Sequence, residues 1–243
     1  MTHDFPVIQL KNVSFTWPGA TEPTLDDVNL SIEKTDRIGI MAPNGSGKTT
    51  LFHTIMGLCI PDSGTIEVLG KPMNTEKDFE QIRSRVGLLF QDADDQLFSP
   101  TVIDDVCFGP LNLGFSPKEA LEQARGTLDG LGILDLEDCI THKLSGGQKR
   151  LVALAAVMVM EPELLLLDEP TAGLDAGVKT ILADTLISLN IPYIVISHEF
   201  DFISAVTHRI FSMEKGRILK DDEVHIHRHE HMHKLGKFPH KHM

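Results

Sequence analysis

The sequence predicts an α/β fold in which a parallel sheet is flanked by helices and a helical insertion interrupts the core. Three observations predict it. Short apolar runs of strand length recur along the chain and alternate with helical patterns. One of them, Ile38 to Met41, opens directly into a glycine-rich stretch followed by an apolar-periodic helix. Between Asp92 and Met160 the strand signal fades and helical signals replace it.

Val7 to Phe15 is rich in β-formers and alternates in part, and Trp17-Pro18-Gly19 ends it with a turn. Leu25 to Ile32 alternates apolar and polar residues and leads to Arg37-Ile38-Gly39-Ile40-Met41, which reads as a short buried strand. Val86 to Phe90, Leu164 to Leu167, Tyr193 to Ile196 and Ile210 to Met213 read as further strands. In Ser116-Pro117-Lys118-Glu119 a capping serine precedes a proline at the first helical position, with a glutamate three residues after the cap. A helix is expected from there to near Asp129. Ser145 is a second candidate cap, before the apolar helical stretch Lys149 to Met160. No internal repeat is present, and from about Asp221 the composition changes.

Composition bounds the function. The chain has 243 residues, 42% of them apolar, which is enough for a substantial core. Its 22 basic and 35 acidic residues give a net charge of −13, which argues against nucleic acid as the main partner. The longest apolar run, Leu151 to Met160, falls short of the roughly 20 residues that span a bilayer, so no transmembrane helix is expected. The start, Met1 to Pro6, lacks the basic and apolar segments of a secretory signal. Cys59, Cys107 and Cys139 are scattered and odd in number, which fits reduced thiols.

Three motifs carry chemistry. Ala42-Pro43-Asn44-Gly45-Ser46-Gly47-Lys48-Thr49 lies between a buried strand and a helix, the setting of a phosphate-binding loop. Its glycines let backbone amides turn inward, and the helix adds its N-terminal dipole. Lys48 would reach the β- and γ-phosphates, and the Thr49 hydroxyl would ligate Mg²⁺. Ala42 stands where the usual pattern has its first glycine, a mild change provided its φ is negative. Leu164 to Leu167 ends in Asp168-Glu169-Pro170. In an open parallel sheet ligands collect at the carboxyl ends of the strands, which would bring this pair beside the loop. Asp168 can then hold Mg²⁺, directly or through water, and Glu169 can take a proton from an attacking water. Leu144-Ser145-Gly146-Gly147-Gln148 is a second anion site at a helix start. The first loop already serves one phosphate group, so the second is best read as serving a nucleotide held by another copy of the chain.

With these motifs in this order, residues 5 to 220 closely resemble the nucleotide-binding subunit of ATP-binding-cassette (ABC) proteins, whose signature is LSGGQ. The resemblance implies a RecA-like P-loop NTPase core, an antiparallel β subdomain and a helical subdomain over about residues 92 to 160. It also implies two copies pairing head to tail around two ATP molecules. Asn44, Gly45, Ser46, Gly47, Lys48, Thr49 and Thr50 would hold the nucleotide phosphates. Trp17 falls at the aromatic position that stacks on adenine. Gln91 matches the glutamine that senses Mg²⁺ and the attacking water, and Asp175 the aspartate that communicates across the dimer. His198 matches the histidine that contacts the γ-phosphate. Ser145, Gly147 and Gln148 would close on the partner copy's nucleotide, and Glu169 would be the catalytic carboxylate.

The segments Asp94 to Val102 and Phe108 to Gly114 look like those of energy-coupling-factor importer ATPases, especially the cobalt and nickel branch. That branch works with an integral membrane coupling subunit and a substrate-capture subunit, which places the ATPase peripherally on the cytoplasmic face of the membrane. Vitamin importers share much of these segments. A non-transport ABC protein and a nucleotide kinase are weaker alternatives, because no long coiled coil, second cassette or acceptor site is found. The end of the chain is an independent clue. His225, His227, His229, His231 and His233 alternate, and seven of 12 histidines fall in the last 19 residues. In an extended segment such imidazoles project to one side and suit Ni²⁺ or Co²⁺. A solvated tail with incidental metal affinity is the alternative.

Overall fold

The computed structural model describes residues 5–219. Strands β1 (Ile8–Phe15) and β2 (Leu25–Ile32) pair antiparallel. Strand β3 (Arg37–Met41) leads through the glycine-rich loop to α1 (Lys48–Ile55). Strands β4 (Ser63–Val68) and β5 (Lys71–Pro72) follow, then α2 (Glu76–Arg83) and β6 (Val86–Leu89). Three helices, α3 (Val102–Asn112), α4 (Pro117–Gly130) and α5 (Gly146–Met158), fill the stretch before β7 (Leu164–Asp168). The chain continues through α6 (Ala176–Ser188), β8 (Tyr193–Ser197), α7 (Phe200–Val206), β9 (Arg209–Glu214) and β10 (Arg217–Leu219).

The strands form two sheets. One is antiparallel with order β2-β1-β4-β5. The other has order β10-β9-β3-β8-β7-β6, parallel from β9 to β6 with β10 antiparallel at the edge. Every residue of β7 and β8 is buried, as expected of strands covered on both faces. Their side chains alternate between two cores. Leu164, Leu166, Ile194 and Ile196 pack towards the antiparallel sheet with Leu51, Phe52 and Ile55 of α1. Leu165, Leu167, Tyr193 and Val195 pack on the opposite face with residues of α5, α6 and α7.

The capping serines sit where expected. Ser116 and Ser145 each form a capping box, with Glu119 and Gln148. The α5 helix therefore begins at Gly146, three residues before its apolar stretch. The strand expected over Val86 to Phe90 stops at Leu89, because the Phe90 amide turns to donate to Gln96 Oε1 at 3.3 Å. Among the described residues no helix is long and apolar enough to cross a membrane. All three cysteines are free. The histidines from His225 to His233, and the metal site suggested for them, lie outside the described residues. Within those described, no group of three or more His, Cys, Asp or Glu residues is arranged to hold a metal ion.

Candidate functional site: the carboxyl edge of the parallel sheet

Four parallel strands deliver the predicted site residues to one edge. The loop 42–47 leaves β3, and Asp168 ends β7 with Glu169 just beyond it. His198 follows β8, and Gln91 lies two residues past β6. Met41 is in register with Ser197, and Asp168 with Ile196, so the loop, the acids and the histidine leave the sheet at one level. Chain reversal at the strand ends thus assembles what the sequence keeps more than 100 residues apart.

The loop is built for an anion. Gly47 caps α1 with φ at 98°, and a β-carbon there would lie 2.5 Å from the Thr24 carbonyl oxygen. Only glycine satisfies both conditions. Ala42 is absent from the residues with positive φ, so the departure from the usual glycine is harmless. Leu51 N–H already bonds to the Gly47 carbonyl, which leaves the earlier helix amides to face a ligand. Ser46 is buried, and its Oγ has no hydrogen-bond partner among the described residues.

Around the loop the charged groups are linked directly. Lys48 Nζ donates to Glu169 Oε1 at 2.5 Å and to Asn44 Oδ1 at 3.3 Å. His198 Nδ1 lies 2.9 Å from Glu169 Oε2. Thr49 Oγ1 donates to Asp168 Oδ2 at 2.6 Å. Glu169 is held as its N–H donates to the Ile196 carbonyl at 2.8 Å, with φ at 45°, in the left-handed region that turns the chain sharply out of β7. The ion pair with Lys48 is almost fully enclosed, whereas the His198 side chain is 65% exposed, so the cluster opens to solvent on the histidine side. Burial pushes the Asp168 carboxyl above its ordinary range, against the opposing pull of the Thr49 hydroxyl and Lys48. Burial also lowers His53, which lies on α1 one turn past Thr49 with Asp168 acting in the opposite sense.

The residues present fit a divalent cation. Asp168 Oδ1 is buried with no hydrogen-bond partner among the described residues, and the other oxygen already meets the Thr49 hydroxyl. A hard oxygen-ligand ion such as Mg²⁺ is suited by a carboxylate and a hydroxyl in this relation.

Other predicted residues stand apart from this cluster. Ser145 and Gln148 bond to each other at the start of α5, and Gly147 follows in its first turn. Among the described residues no hydrogen bond or ion pair joins these three to Lys48, Asp168 or Glu169. Asp175 caps α6, accepting from the Gly177 and Val178 amides at 2.8 and 3.1 Å. Trp17 is exposed and packs edge-on against Phe15, with ring centroids 5.0 Å apart. Thr50 is buried in the first turn of α1. Gln91 is exposed, and its carbonyl accepts from the Arg150 guanidinium.

Sequence reasoning missed two sets of contacts. Arg150, Gln96 and Lys149 fasten the segment around Gln91 to α5. The Gly216 amide braces the phosphate loop by donating to the Ser46 carbonyl at 3.0 Å. A charged residue immediately before the apolar run Leu151 to Met160 was the available signal for the first set.

Comparison with known proteins bears on this arrangement. Residues 25–172 match the family model described as ABC transporter. A putative ABC transporter ATP-binding protein of Nitratidesulfovibrio vulgaris is 44% identical, over 98% of this chain and 86% of its own length. The cobalt import ATP-binding protein CbiO of Rhodobacter capsulatus is 41% identical, over 89% of this chain and 78% of its own length. Among solved structures, cbiO1 from Clostridium perfringens, described as part of the ABC transporter complex cbiONQ, superposes with a TM-score of 0.79 at 35% identity. That alignment covers 89% of this chain and 88% of the other.

Proposed function

The chain belongs to the ABC transporter family as a CbiO-like ATPase of the energy-coupling-factor type, and from that premise we propose that it powers import of cobalt or nickel ions through partner subunits in the membrane. The observation that carries the catalytic part is that two side-chain contact sets, Lys48–Glu169–His198 and Thr49–Asp168, lie side by side at one edge of the sheet. Lys48 and the loop amides bind the β- and γ-phosphates of ATP, in competition with Glu169 for the lysine. Asn44, Gly45, Ser46, Gly47, Thr49 and Thr50 complete the phosphate cradle, and Trp17 stacks on the base. Thr49, Asp168 and Gln91 hold Mg²⁺, which when bound neutralises charge on the phosphates.

Glu169 orients the attacking water or takes its proton, and His198 steadies both Glu169 and the γ-phosphate side of the site. Ser145, Gly147 and Gln148 do not reach this cluster within one chain, so they act on the nucleotide of a second copy. The helix N-terminus of α5 then offers its amides to that copy's γ-phosphate. Asp175 stands at the start of α6 to relay between the copies. Residues 1–220 form one ABC ATPase domain with the helical subdomain at about 92–160, placed peripherally on the cytoplasmic face of the membrane.

A cavity of about 350 Å³ between the core and the helical segment is lined by Met56, Leu58, Val86, Phe98, Phe108 and Met160. Phe98 and Phe108 stack edge to face at 4.7 Å, and both are exposed. This groove receives the integral coupling subunit, and because Phe90 and Gln96 also line it, docking reaches the segment that carries Gln91. The 41% identity to a cobalt import protein and the alternate histidines 225–233 support a metal cargo over a vitamin.

The test is reconstitution of the complex from membranes in lipid vesicles. The wild-type complex should take up Co²⁺ or Ni²⁺ with ATP. With Glu169→Gln it should retain ATP, lose turnover and uptake, and accumulate a closed ATPase dimer. ATP-dependent uptake of a vitamin instead would overturn the cargo, and normal turnover in Glu169→Gln would remove Glu169 from its role.

A further inference from the structure

Helix α5 carries a guanidinium that the chemistry above does not use. Arg150 lies five residues past Ser145 and is 5% exposed. Its Nη1 donates to the Phe90 carbonyl at 2.5 Å, and its Nη2 donates to the Gln91 carbonyl. Both bonds are charge-assisted, and a fork that grips two successive carbonyls fixes the orientation of the peptide between them. A buried cation is retained only where its surroundings compensate it, and here two backbone oxygens do so.

The same segment is tied to α5 twice more. The Phe90 amide donates to Gln96 Oε1 at 3.3 Å, while Gln96 Nε2 donates to the Ala153 carbonyl at 3.1 Å. Lys149 Nζ lies 2.5 Å from Asp94 Oδ1. Lys149, Arg150 and Ala153 span little more than one helical turn. Residues 90–96 are thus fastened to a short stretch of α5, and that stretch is continuous with Ser145 and Gly147 at the helix start.

We propose that Arg150 is a positioning residue that clamps the backbone of Phe90 and Gln91 to α5, so that the helix engaging one copy's nucleotide sets the placement of Gln91 over the other. The proposal rests on the roles given above to Gln91 and Ser145. Movement of the α5 start on meeting a γ-phosphate is carried through the guanidinium to the Gln91 peptide. Gln91 is then presented to its own site only when the opposite site is filled. The groove lined by Phe98 and Phe108 adjoins the same segment, so membrane-subunit docking acts on the same clamp.

The experiment compares Arg150→Lys, Arg150→Met, Gln91→Ala and the double variants, using the full-length chain with its co-purifying membrane subunits. ATP affinity, kcat, half-saturating Mg²⁺ and melting temperature are measured for each. Lysine keeps the charge but cannot grip two carbonyls, so kcat in Arg150→Lys should fall about tenfold, with ATP affinity changed by less than about twofold. Half-saturating Mg²⁺ should rise in Arg150→Lys as it does in Gln91→Ala. Adding Arg150→Lys to Gln91→Ala should cost nothing further, because the clamp acts through that side chain. A purely structural role would instead lower the melting temperature and give losses that add in the double variant, which would overturn the proposal. So would a wild-type kcat in both Arg150 variants beside a lowered one in Gln91→Ala. If Gln91→Ala itself keeps full activity, the assignment of Gln91 fails and the clamp falls with it. Should Arg150→Met not fold, Arg150→Lys alone decides.

Discussion

Glu169 holds two partners at once, Lys48 at 2.5 Å and His198 at 2.9 Å, while itself only 2% exposed. A buried carboxylate in that position depends on its cation. Removing one member of such a pair leaves an uncompensated charge, at a cost of about 3–5 kcal/mol. His198 remains as a partner, so Lys48→Met should destabilise the nucleotide-free chain by about 3 kcal/mol, the lower end of that range. Thermal denaturation without nucleotide checks this. Glu169→Gln added to Lys48→Met should recover part of the loss, since no buried charge is then left alone. Recovery of stability without recovery of ATP binding would separate the two duties of Lys48. An unchanged melting temperature in Lys48→Met would show that the pair carries no stability. Lys48, Thr49, Asp168 and Glu169 were legible because they stand in short motifs that follow apolar strands, and His198 was picked out by the family resemblance. Their mutual contacts were not legible. Lys48 and Glu169 are 121 residues apart, and only the sheet order that sets β8 between β3 and β7 brings them together.

At the scale of elements, the turn between β9 and β10 stands out because it braces the phosphate loop from behind. The Gly216 amide donates to the Ser46 carbonyl, and the Gly216 carbonyl accepts from the Asp26 amide, each at 3.0 Å. Its φ is 77°, and a β-carbon there would lie 2.5 Å from the Thr24 carbonyl oxygen. Gly216→Ala must therefore shift the turn and release Ser46. A lost hydrogen bond of this kind is worth roughly 0.5–1.5 kcal/mol, so ATP affinity should weaken by about two- to twelvefold at most, with a lowered melting temperature. Arg217→Ala is the contrast. Its pair with Asp26 at 2.7 Å is exposed, and such pairs contribute about 0–1 kcal/mol, so both quantities should stay close to wild type. Equal effects of the two substitutions would remove the brace. This element was the hardest to read from sequence. β10 has three residues, too few to show alternation, and its function comes from a distant partner. The strands over Leu25 to Ile32 and Arg37 to Met41 were legible because their apolar residues commit to one face or both. The α6 helix escaped notice because only Leu182 and Leu186 of its residues are buried, while Ile181 and Ile187 face outward and blur the pattern.

For the whole molecule, the placement of that hairpin decides where the histidine-rich segment can be removed without harm. β10 ends at Leu219, and the brace on the phosphate loop lies wholly before that point. A chain truncated after Leu219 should therefore keep ATP affinity and basal hydrolysis. Among the described residues no group of three or more His, Cys, Asp or Glu is arranged to hold a metal ion, so the alternate histidines 225–233 are the segment to test for Ni²⁺ or Co²⁺ binding. Calorimetry on the full-length chain should then show binding that the truncated chain lacks. An imidazole must be neutral to ligate, and its ordinary pKa is about 6.5. Binding should accordingly be present at about pH 7.5 and mostly lost by about pH 5.5, with the protons released per metal bound rising as the pH falls towards the imidazole pKa. If truncated and full-length chains bind metal equally, the alternate histidines have no part in handling the cargo. If binding is lost on truncation and ATP-driven uptake by the complex also loses its response to the metal level, the histidine segment takes part in handling the cargo.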